Sequence, residues 1–169
     1  EFPVVVNTCA SRSIVAAALG IDKKELPHKY RDALNNLIEP QRVQNAPVHE
    51  VVLTGDEADV LKLPQMRYHD TDGASYISGS IVMARDPDTG SYSCSYNRLM
   101  IQGSRRLGIY MTPGKHLSQI YEKAEQHKAP MELAICLGSH PAWSMGALFI
   151  GPYDTDERHV MGGLMGKPL

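Results

Sequence analysis

The most constraining feature of the sequence is a pair of β-rich runs joined by a turn. The runs cover residues 76–85 and 91–101, and the sequence between them, over residues 86–90, is DPDTG. Its proline and glycine favour a tight reversal of the backbone. The pattern therefore predicts an antiparallel hairpin. Gly79 interrupts the first run and indicates a bulge or a close approach by another group.

Shorter patterns on either side of the hairpin predict further elements. Ser11 or Ser13 can cap a helix through IVAAALG, and Gly20 supplies its C-terminal stop. A second helix is expected over residues 30–38, before Pro40. Other strands are expected over residues 2–7, 48–53, 107–111 and 131–137, and other helices over 113–127 and 157–164. A small-residue helix or turn is expected over 141–149, and an edge or linker segment over 60–64. The sum predicts an α+β fold with antiparallel strands in its middle.

Charge and cysteine content narrow the classes of partner and compartment. The formal net charge is only −2, whereas binding to nucleic acid or to an anionic membrane calls for a basic face, so we expect neither partner. No apolar run has the length of a membrane span, and no charged-then-apolar leader precedes a cleavage site. Cys9, Cys94 and Cys136 lie far apart without CxxC spacing. This indicates buried, reduced thiols and favours a cytoplasmic protein.

Both ends of the chain read as interrupted. It opens in EFPVVVN, which is typical of a buried strand already under way, and it closes in GKPL just after a helix-like segment. We therefore expect one domain over residues 1–169 that is a fragment or a processed product of a longer protein, although a mature chain trimmed at one end would look similar.

Arg98 is the first candidate site residue. Alternation along a strand places it on one face with Tyr96 and Met100, while Ser95, Asn97 and Leu99 share the other face. An arginine between a tyrosine and a methionine either covers a sheet edge or reaches into a cavity. Most arginines are simply solvated surface residues. The pattern therefore leaves open whether Arg98 is a surface residue or a functional one.

His116 and Glu157 are the other candidates. His116 follows Pro-Gly-Lys at a predicted helix start, where free N–H groups and the positive dipole end favour an anion. Its imidazole is either a surface group or a ligand for a divalent ion. Glu157 ends the acidic segment DTDE, where it either caps the helix or joins His116 on a hard cation. His69, Asp70 and Asp72 form a polar loop before a strand rather than a metal cluster.

Several motifs in a fixed order resemble the UbiD family of reversible, non-oxidative decarboxylases, whose members use prenylated FMN. They are YISxxIVxARDPDTG, SYNRLM, RLGIYMTPGKHL, PxxxAICLGxxPA and ExxVxGGLxG, and together they cover nearly the whole chain. The resemblance implies a split β-barrel of the flavin-reductase kind that binds FMN, with flanking helices. It also implies that residues 1–169 are the prenylated-FMN-binding portion, without the family's N-terminal segment and C-terminal domain.

The resemblance also implies roles for particular residues. Arg98 matches the catalytic arginine that holds the substrate carboxylate over the flavin. Cofactor contacts are implied for Ser95, Tyr96, Asn97, Arg98, Lys115, His116, Leu148 and Phe149. His116, Glu157 and Ser93 match the ligands of a divalent metal, Mn²⁺ or Mg²⁺, with K⁺ nearby. Ser93 stands where the family has asparagine, and its side chain is shorter and a weaker donor.

The implied function is decarboxylation of an aromatic or α,β-unsaturated carboxylic acid. The partners are that small-molecule acid and a flavin prenyltransferase that supplies the cofactor, and the longer parent is expected to be a homo-oligomer. The family's catalytic glutamates have no counterpart in this chain, so we expect the chain alone to bind without turnover. Two alternatives remain: a non-catalytic flavin-binding module or subunit of a split complex, and an FMN oxidoreductase on a similar barrel that needs no divalent ion.

Overall fold

Two antiparallel sheets of three strands form the centre of the protein, which a computed structural model describes over residues 3–169. The strands are β1 (Tyr76–Ile77), β2 (Ile81–Arg85), β3 (Tyr92–Tyr96), β4 (Leu99–Gly103), β5 (Arg106–Ile109) and β6 (Leu133–Cys136). One sheet has the order β1-β4-β5 and the other has the order β3-β2-β6. The fold is therefore a mixture of helices with antiparallel strands, as the sequence predicts.

The predicted hairpin is confirmed, although each of its runs contributes to both sheets. β2 pairs with β3 from Arg85↔Tyr92 to Ile81↔Tyr96, while β1 pairs with β4 in the other sheet. Gly79 lies at the break in the first run, between β1 and β2, and not inside a strand. The second run breaks at Asn97 and Arg98. The predicted alternation through Arg98 is therefore wrong, because the strand ends before it.

Five helices lie within residues 3–169. They are α1 (Arg12–Leu19), α2 (Leu26–Asn35), α3 (His116–Gln126), α4 (Pro141–Gly146) and α5 (Glu157–Met165). The capping prediction for α1 is confirmed: the Ser11 hydroxyl accepts from the Ile14 N–H at 3.2 Å, and Gly20 ends the helix with φ 67°. α2 begins and ends earlier than predicted, with Pro27 in its first turn. α3 begins at His116, so Pro113 lies in the turn before it.

Two expected strands are wrong within the described residues. Residues 3–7 form no strand, and Val4, Val5 and Val6 are exposed, whereas Phe2 lies outside the described residues. Residues 48–53 contribute only to a 3₁₀ turn over Pro47–His49 and are also exposed. Valine favours strands mainly by packing against neighbours, and these segments have no partner strand or core among residues 3–169. Residues 60–64 contain a 3₁₀ turn over Val60–Lys62, which fits the expected linker.

The apolar residues divide between a β-sheet core and a helical layer. The first lies between the two sheets and α3 and includes Val82, Leu99 and Ile120. The second joins α1, α2, α4 and α5. Among the three free cysteines, Cys94 is buried and Cys136 is half-buried, but Cys9 is exposed, so the prediction of a buried thiol is wrong there. Across residues 3–169, every helix is too short or too polar to cross a membrane.

Candidate functional site

A cleft of about 350 Å³ opens between the end of β3, the start of α3 and the segment that leads into α5. The structure brings into it all the residues for which the resemblance implied cofactor or metal contacts, with the exception of Arg98. They are Ser93, Ser95, Tyr96, Asn97, Lys115, His116, Leu148, Phe149 and Glu157. Residues from four separate stretches of the chain therefore meet at one place.

Two carboxylates hold the start of α5 against β3. β3 is an edge strand among the described residues, so the N–H groups on its outer side need partners outside the sheet. Asp156 Oδ2 accepts from the Tyr92 N–H and Glu157 Oε2 accepts from the Cys94 N–H, each at 3.1 Å. These two contacts set the position of Glu157 relative to the strand.

Arg158 locks the first of these contacts in place. Its guanidinium donates to both oxygens of Asp156 and lies 3.6 Å from the centre of the Tyr92 ring. Asp156 also accepts from the Arg158 N–H and thereby caps α5. These hydrogen bonds hold the pKa of Asp156 below its usual range although burial opposes them. A charged, fully bonded Asp156 thus precedes Glu157.

Glu157 presents its second oxygen to His116. Glu157 Oε1 lies 3.4 Å from His116 Nδ1, and the glutamate is only 3% exposed. Burial raises the pKa of Glu157, because the charged carboxylate loses water that backbone N–H groups replace only in part. A buried carboxylate oxygen beside an imidazole nitrogen, at the wall of an open cleft, is a donor pair suited to a divalent cation.

The rest of a metal shell must come from other kinds of ligand. No group of three or more His, Cys, Asp and Glu side chains within residues 3–169 is placed to hold a metal ion. Ser93 is buried and lines the same cleft. The His116–Glu157 pair is therefore the donor pair that the described residues bring together, and Ser93 stays a prediction from the resemblance.

The start of α3 forms a second wall of the cleft. His116 is its first helical residue and Lys115 precedes it, and no side chain in the described part of the chain caps this helix. The N–H groups of the first turn therefore keep hydrogen-bonding capacity, and the positive end of the helix dipole faces the cleft beside a lysine. This arrangement suits an anionic group such as a phosphate.

The remaining walls combine fixed polar groups with exposed apolar ones. Tyr96 Oη donates to Ser144 Oγ at 2.6 Å, and Ser95 Oγ donates to Asn97 Oδ1 at 2.8 Å. These bonds tie the end of β3 to α4 and to its own turn. By contrast, the Leu148 side chain is 63% exposed on the cleft. Apolar walls with a few fixed polar groups are typical of sites for flat organic ligands.

Arg98 lies on the far side of the Tyr96–Asn97 wall. It is exposed and, together with Tyr76 and Met100, lines a depression beside the cleft. Tyr96 and Asn97 line both the depression and the cleft. Arg98 also borders the polar loop, where Asp72 Oδ2 accepts from the N–H groups of Tyr68 and His69, as expected of a loop and not of a metal cluster. The candidate catalytic arginine and the His116–Glu157 pair are therefore adjacent but separate.

Some residues that contact the cleft walls were not predicted from the sequence. Tyr153 packs against the His116 ring, and Asp86, predicted only as part of a turn, is buried beside it. Thr112, which also lines the cleft, was missed as well. An acidic residue in a Pro-Gly turn normally faces solvent, so no local signal marks Asp86 as buried.

Comparisons with known proteins identify relatives of this chain. The UbiD family model, described as 3-octaprenyl-4-hydroxybenzoate carboxy-lyase Rift-related domain, matches residues 41–169. Anhydromevalonate phosphate decarboxylase of Methanothermobacter thermautotrophicus is 32% identical over 160 residues, which are 95% of this chain and 37% of that protein.

Two solved structures are similar over almost the whole chain. An evolved dimeric form of the UbiD-class enzyme HmfF from Pelotomaculum thermopropionicum, in complex with prFMN, is 33% identical with a TM-score of 0.87, over 94% of this chain and 37% of that one. Vanillic acid decarboxylase of Sedimentibacter hydroxybenzoicus in its closed form is 26% identical with a TM-score of 0.90, over 100% of this chain and 38% of that one. The chain thus spans less than two fifths of the length of these relatives. Because the family model covers most of its residues, this chain belongs to the UbiD family.

Proposed function

We propose that this chain is the prenylated-FMN-binding portion of a non-oxidative decarboxylase that acts on an aromatic or α,β-unsaturated carboxylic acid. The observation that carries the proposal is the His116–Glu157 pair, 3.4 Å apart in a cleft lined by the residues matched to cofactor positions. The relatives support it, since they are decarboxylases of vanillic acid and of anhydromevalonate phosphate, and HmfF binds prFMN.

Each wall of the cleft has a part in holding the cofactor. Lys115 and the first-turn N–H groups of α3 receive the phosphate. His116, Glu157 and Ser93 hold Mn²⁺ or Mg²⁺, with K⁺ nearby, because imidazole and carboxylate or hydroxyl oxygens suit these ions. Leu148 and Phe149 form the apolar wall for the ring system, and Ser95, Tyr96 and Asn97 line the opposite side. When bound, prenylated FMN supplies the electron sink that loss of carbon dioxide requires.

Arg98 binds the substrate carboxylate. Its planar guanidinium can donate two parallel hydrogen bonds to a carboxylate, and its exposed position beyond Tyr96 and Asn97 leaves it open to a second molecule beside the cofactor. Guanidinium does not release its proton at accessible pH, so Arg98 cannot protonate the product carbon. That proton comes from an acid in the remainder of the longer protein, and turnover belongs to that protein.

The same proposal extends to the fold and the cellular context. β1–β2 and β3–β4 each pass from one sheet to the other around a shared core, which supports a split β-barrel of the flavin-reductase kind. A flavin prenyltransferase supplies the cofactor, the longer protein is a homo-oligomer, and the compartment is the cytoplasm. The placement of Arg98 outside the cleft favours one alternative, a non-catalytic flavin-binding module or subunit of a split complex.

The test is to express the chain together with a flavin prenyltransferase and to measure its absorbance spectrum and metal content. Wild type is compared with His116→Ala and with His127→Ala, whose exposed imidazole at the other end of α3 pairs with Asp88 and lies outside the cleft. We expect flavin and a divalent metal to co-purify with wild type and His127→Ala and to be lost together from His116→Ala. Retention of both in His116→Ala would contradict the site. A second measurement distinguishes the decarboxylase from the non-catalytic flavin-binding module. If the longer protein decarboxylates a carboxylic acid and its Arg98→Ala variant does not, the chain belongs to an enzyme.

A further inference from the structure

We propose that Tyr153 is a positioning residue that fixes the ring of His116, and that Asp86 anchors Tyr153 for this purpose. The proposal rests on the proposed function in one respect: the fixed imidazole serves as a ligand of a divalent metal. A ligand imidazole binds well only when its ring is held in one orientation, and partners beyond the metal shell usually supply that restraint.

The contact between the two rings is an edge-to-face pair. The centroids of His116 and Tyr153 lie 5.1 Å apart with an interplanar angle of 80°. Aromatic pairs favour edge-to-face and offset-stacked geometries over a face-to-face sandwich, so rotation of the imidazole out of the edge-to-face contact costs free energy. The same imidazole has its Nδ1 atom 3.4 Å from Glu157 Oε1. Tyr153 therefore restrains the ring on one side while the carboxylate faces it on another.

Tyr153 is itself held at its hydroxyl by a fixed carboxylate. Tyr153 Oη donates to Asp86 Oδ2 at 2.5 Å, and Asp86 is only 2% exposed. The other oxygen of Asp86 accepts from the N–H groups of Asp88 and Thr89 at 2.8 and 3.1 Å. Because both oxygens are bonded and the residue is buried, the carboxylate has no freedom to follow a moving tyrosine.

Helix α3 completes the arrangement. Lys123 follows His116 by two helical turns and lies on the same face of the helix. Its Nζ donates to Asp86 Oδ2 at 2.6 Å and lies 5.0 Å from the centre of the Tyr153 ring. The tyrosine thus lies along the helix, with its ring at His116 and its hydroxyl at Lys123. Asp86 thus joins the hairpin turn, α3 and the segment before α5, and the last two of these form walls of the cleft.

The test compares Tyr153→Phe, which keeps the ring and removes its anchor, with Tyr153→Leu, which removes both. The matched control is Tyr121→Phe on α3, which removes an exposed hydroxyl that donates to Glu125 at 2.7 Å. Mn²⁺ affinity is measured by electron paramagnetic resonance. In the metal-free protein, NMR records the His116 ring-proton shifts and their cross-relaxation with residue 153.

We expect Tyr153→Phe to weaken Mn²⁺ binding about tenfold and Tyr153→Leu about 100-fold, with Tyr121→Phe within about twofold of wild type. The His116 ring signals should move in both Tyr153 variants and stay in place in the control. Unchanged His116 signals and Mn²⁺ affinity in a folded Tyr153→Phe or Tyr153→Leu protein would overturn the proposal. If Tyr153→Leu does not fold, Tyr153→Phe alone decides. Wild type that shows the ring coupling but binds no Mn²⁺ would refute the metal site and leave the positioning of His116 standing.

Discussion

At the scale of single residues, the site depends on how Glu157 divides its two oxygens. One oxygen accepts the Cys94 N–H of the edge strand, and the other faces His116. The first contact is structural and the second leaves an oxygen at the cleft, so one buried side chain combines a strand contact with the proposed ligand position. Burial keeps the charged form costly, which a bound cation relieves.

Glu157→Gln separates the two tasks. The glutamine carbonyl still accepts from the Cys94 N–H, but its amide group faces His116 as a donor and carries no charge. We expect Mn²⁺ affinity to fall more than about 100-fold, beyond the range of changes outside the metal shell. The metal-free protein should unfold at a urea concentration no lower than wild type, since a buried charge is removed.

The control for this variant is Glu125→Gln, on the same helix as His116, whose carboxylate accepts from the exposed Tyr121 hydroxyl and from no other side chain within residues 3–169. It should match wild type in Mn²⁺ affinity. If Glu157→Gln binds Mn²⁺ as tightly as this control, Glu157 is not a ligand.

At the scale of elements, the sequence predicts those whose signals are local. The hairpin from β2 to β3 follows from DPDTG, and α1 follows from Ser11 and Gly20, because the residues that decide these structures lie within a few positions of one another. The exposed segment 48–53 shows the opposite case. Its valines favour a strand only if a partner strand and a core are present. The sequence of the segment does not show whether such partners exist elsewhere in the fold.

The packing of α5 on α2 depends on a close approach at Gly163. A Cβ atom at this position would lie 2.7 Å from the Ala33 carbonyl oxygen and 2.9 Å from the Asn36 carbonyl oxygen. In an exposed helix, alanine would be favoured over glycine by about 1 kcal/mol. Here the sign reverses, because backbone atoms cannot move aside without shifting α5 and the Glu157 at its start.

We therefore expect Gly163→Ala to lower the free energy of unfolding by about 2 kcal/mol, as overpacking of a dense interior does. Urea unfolding followed by circular dichroism measures it. Gly73→Ala is the matched control, since nothing lies within 4 Å of a Cβ atom there. Equal or greater stability of Gly163→Ala would show that the two helices do not need this contact.

At the scale of the whole molecule, the site is assembled from residues that are distant in sequence. Cys94 and Glu157 are 63 positions apart, and Tyr153 and Asp86 are 67 apart. No spacing rule links such residues, so from pattern alone His116 and Glu157 remain separate candidates until a family resemblance or a structure joins them. Asp86 could not be found in this way, because its role depends on the helix and the segment that close over it.

Asp86 should also govern how the whole fold responds to acid. Burial would raise the pKa of Asp86, but hydrogen bonds from Lys123, Tyr153 and the turn outweigh it and hold this pKa far below its usual range. Burial raises the pKa of Tyr153 to about 12, so its hydroxyl keeps its proton and remains a donor to Asp86 over this pH range. A carboxyl whose pKa is lower in the folded state adds stability above its unfolded pKa, about 3.9, and this stability is lost as the pH falls toward the folded value. Wild type should therefore lose stability steadily below about pH 4.

Asp86→Asn should remove most of that acid dependence. At pH 7 we expect it to lower the free energy of unfolding by about 2 kcal/mol, because the charge-assisted hydrogen bonds from Lys123 and Tyr153 to the carboxylate are weakened or lost. The difference from wild type should shrink as the pH falls below about 4, since protonation removes the same charge from wild type. Asp56→Asn, whose carboxylate is fully exposed beside Arg105, should follow wild type at every pH. Urea unfolding at a series of pH values measures both variants. A constant difference between wild type and Asp86→Asn down to pH 2 would mean that the Asp86 charge does not stabilise the fold, and that the variant acts through packing or lost hydrogen bonds instead.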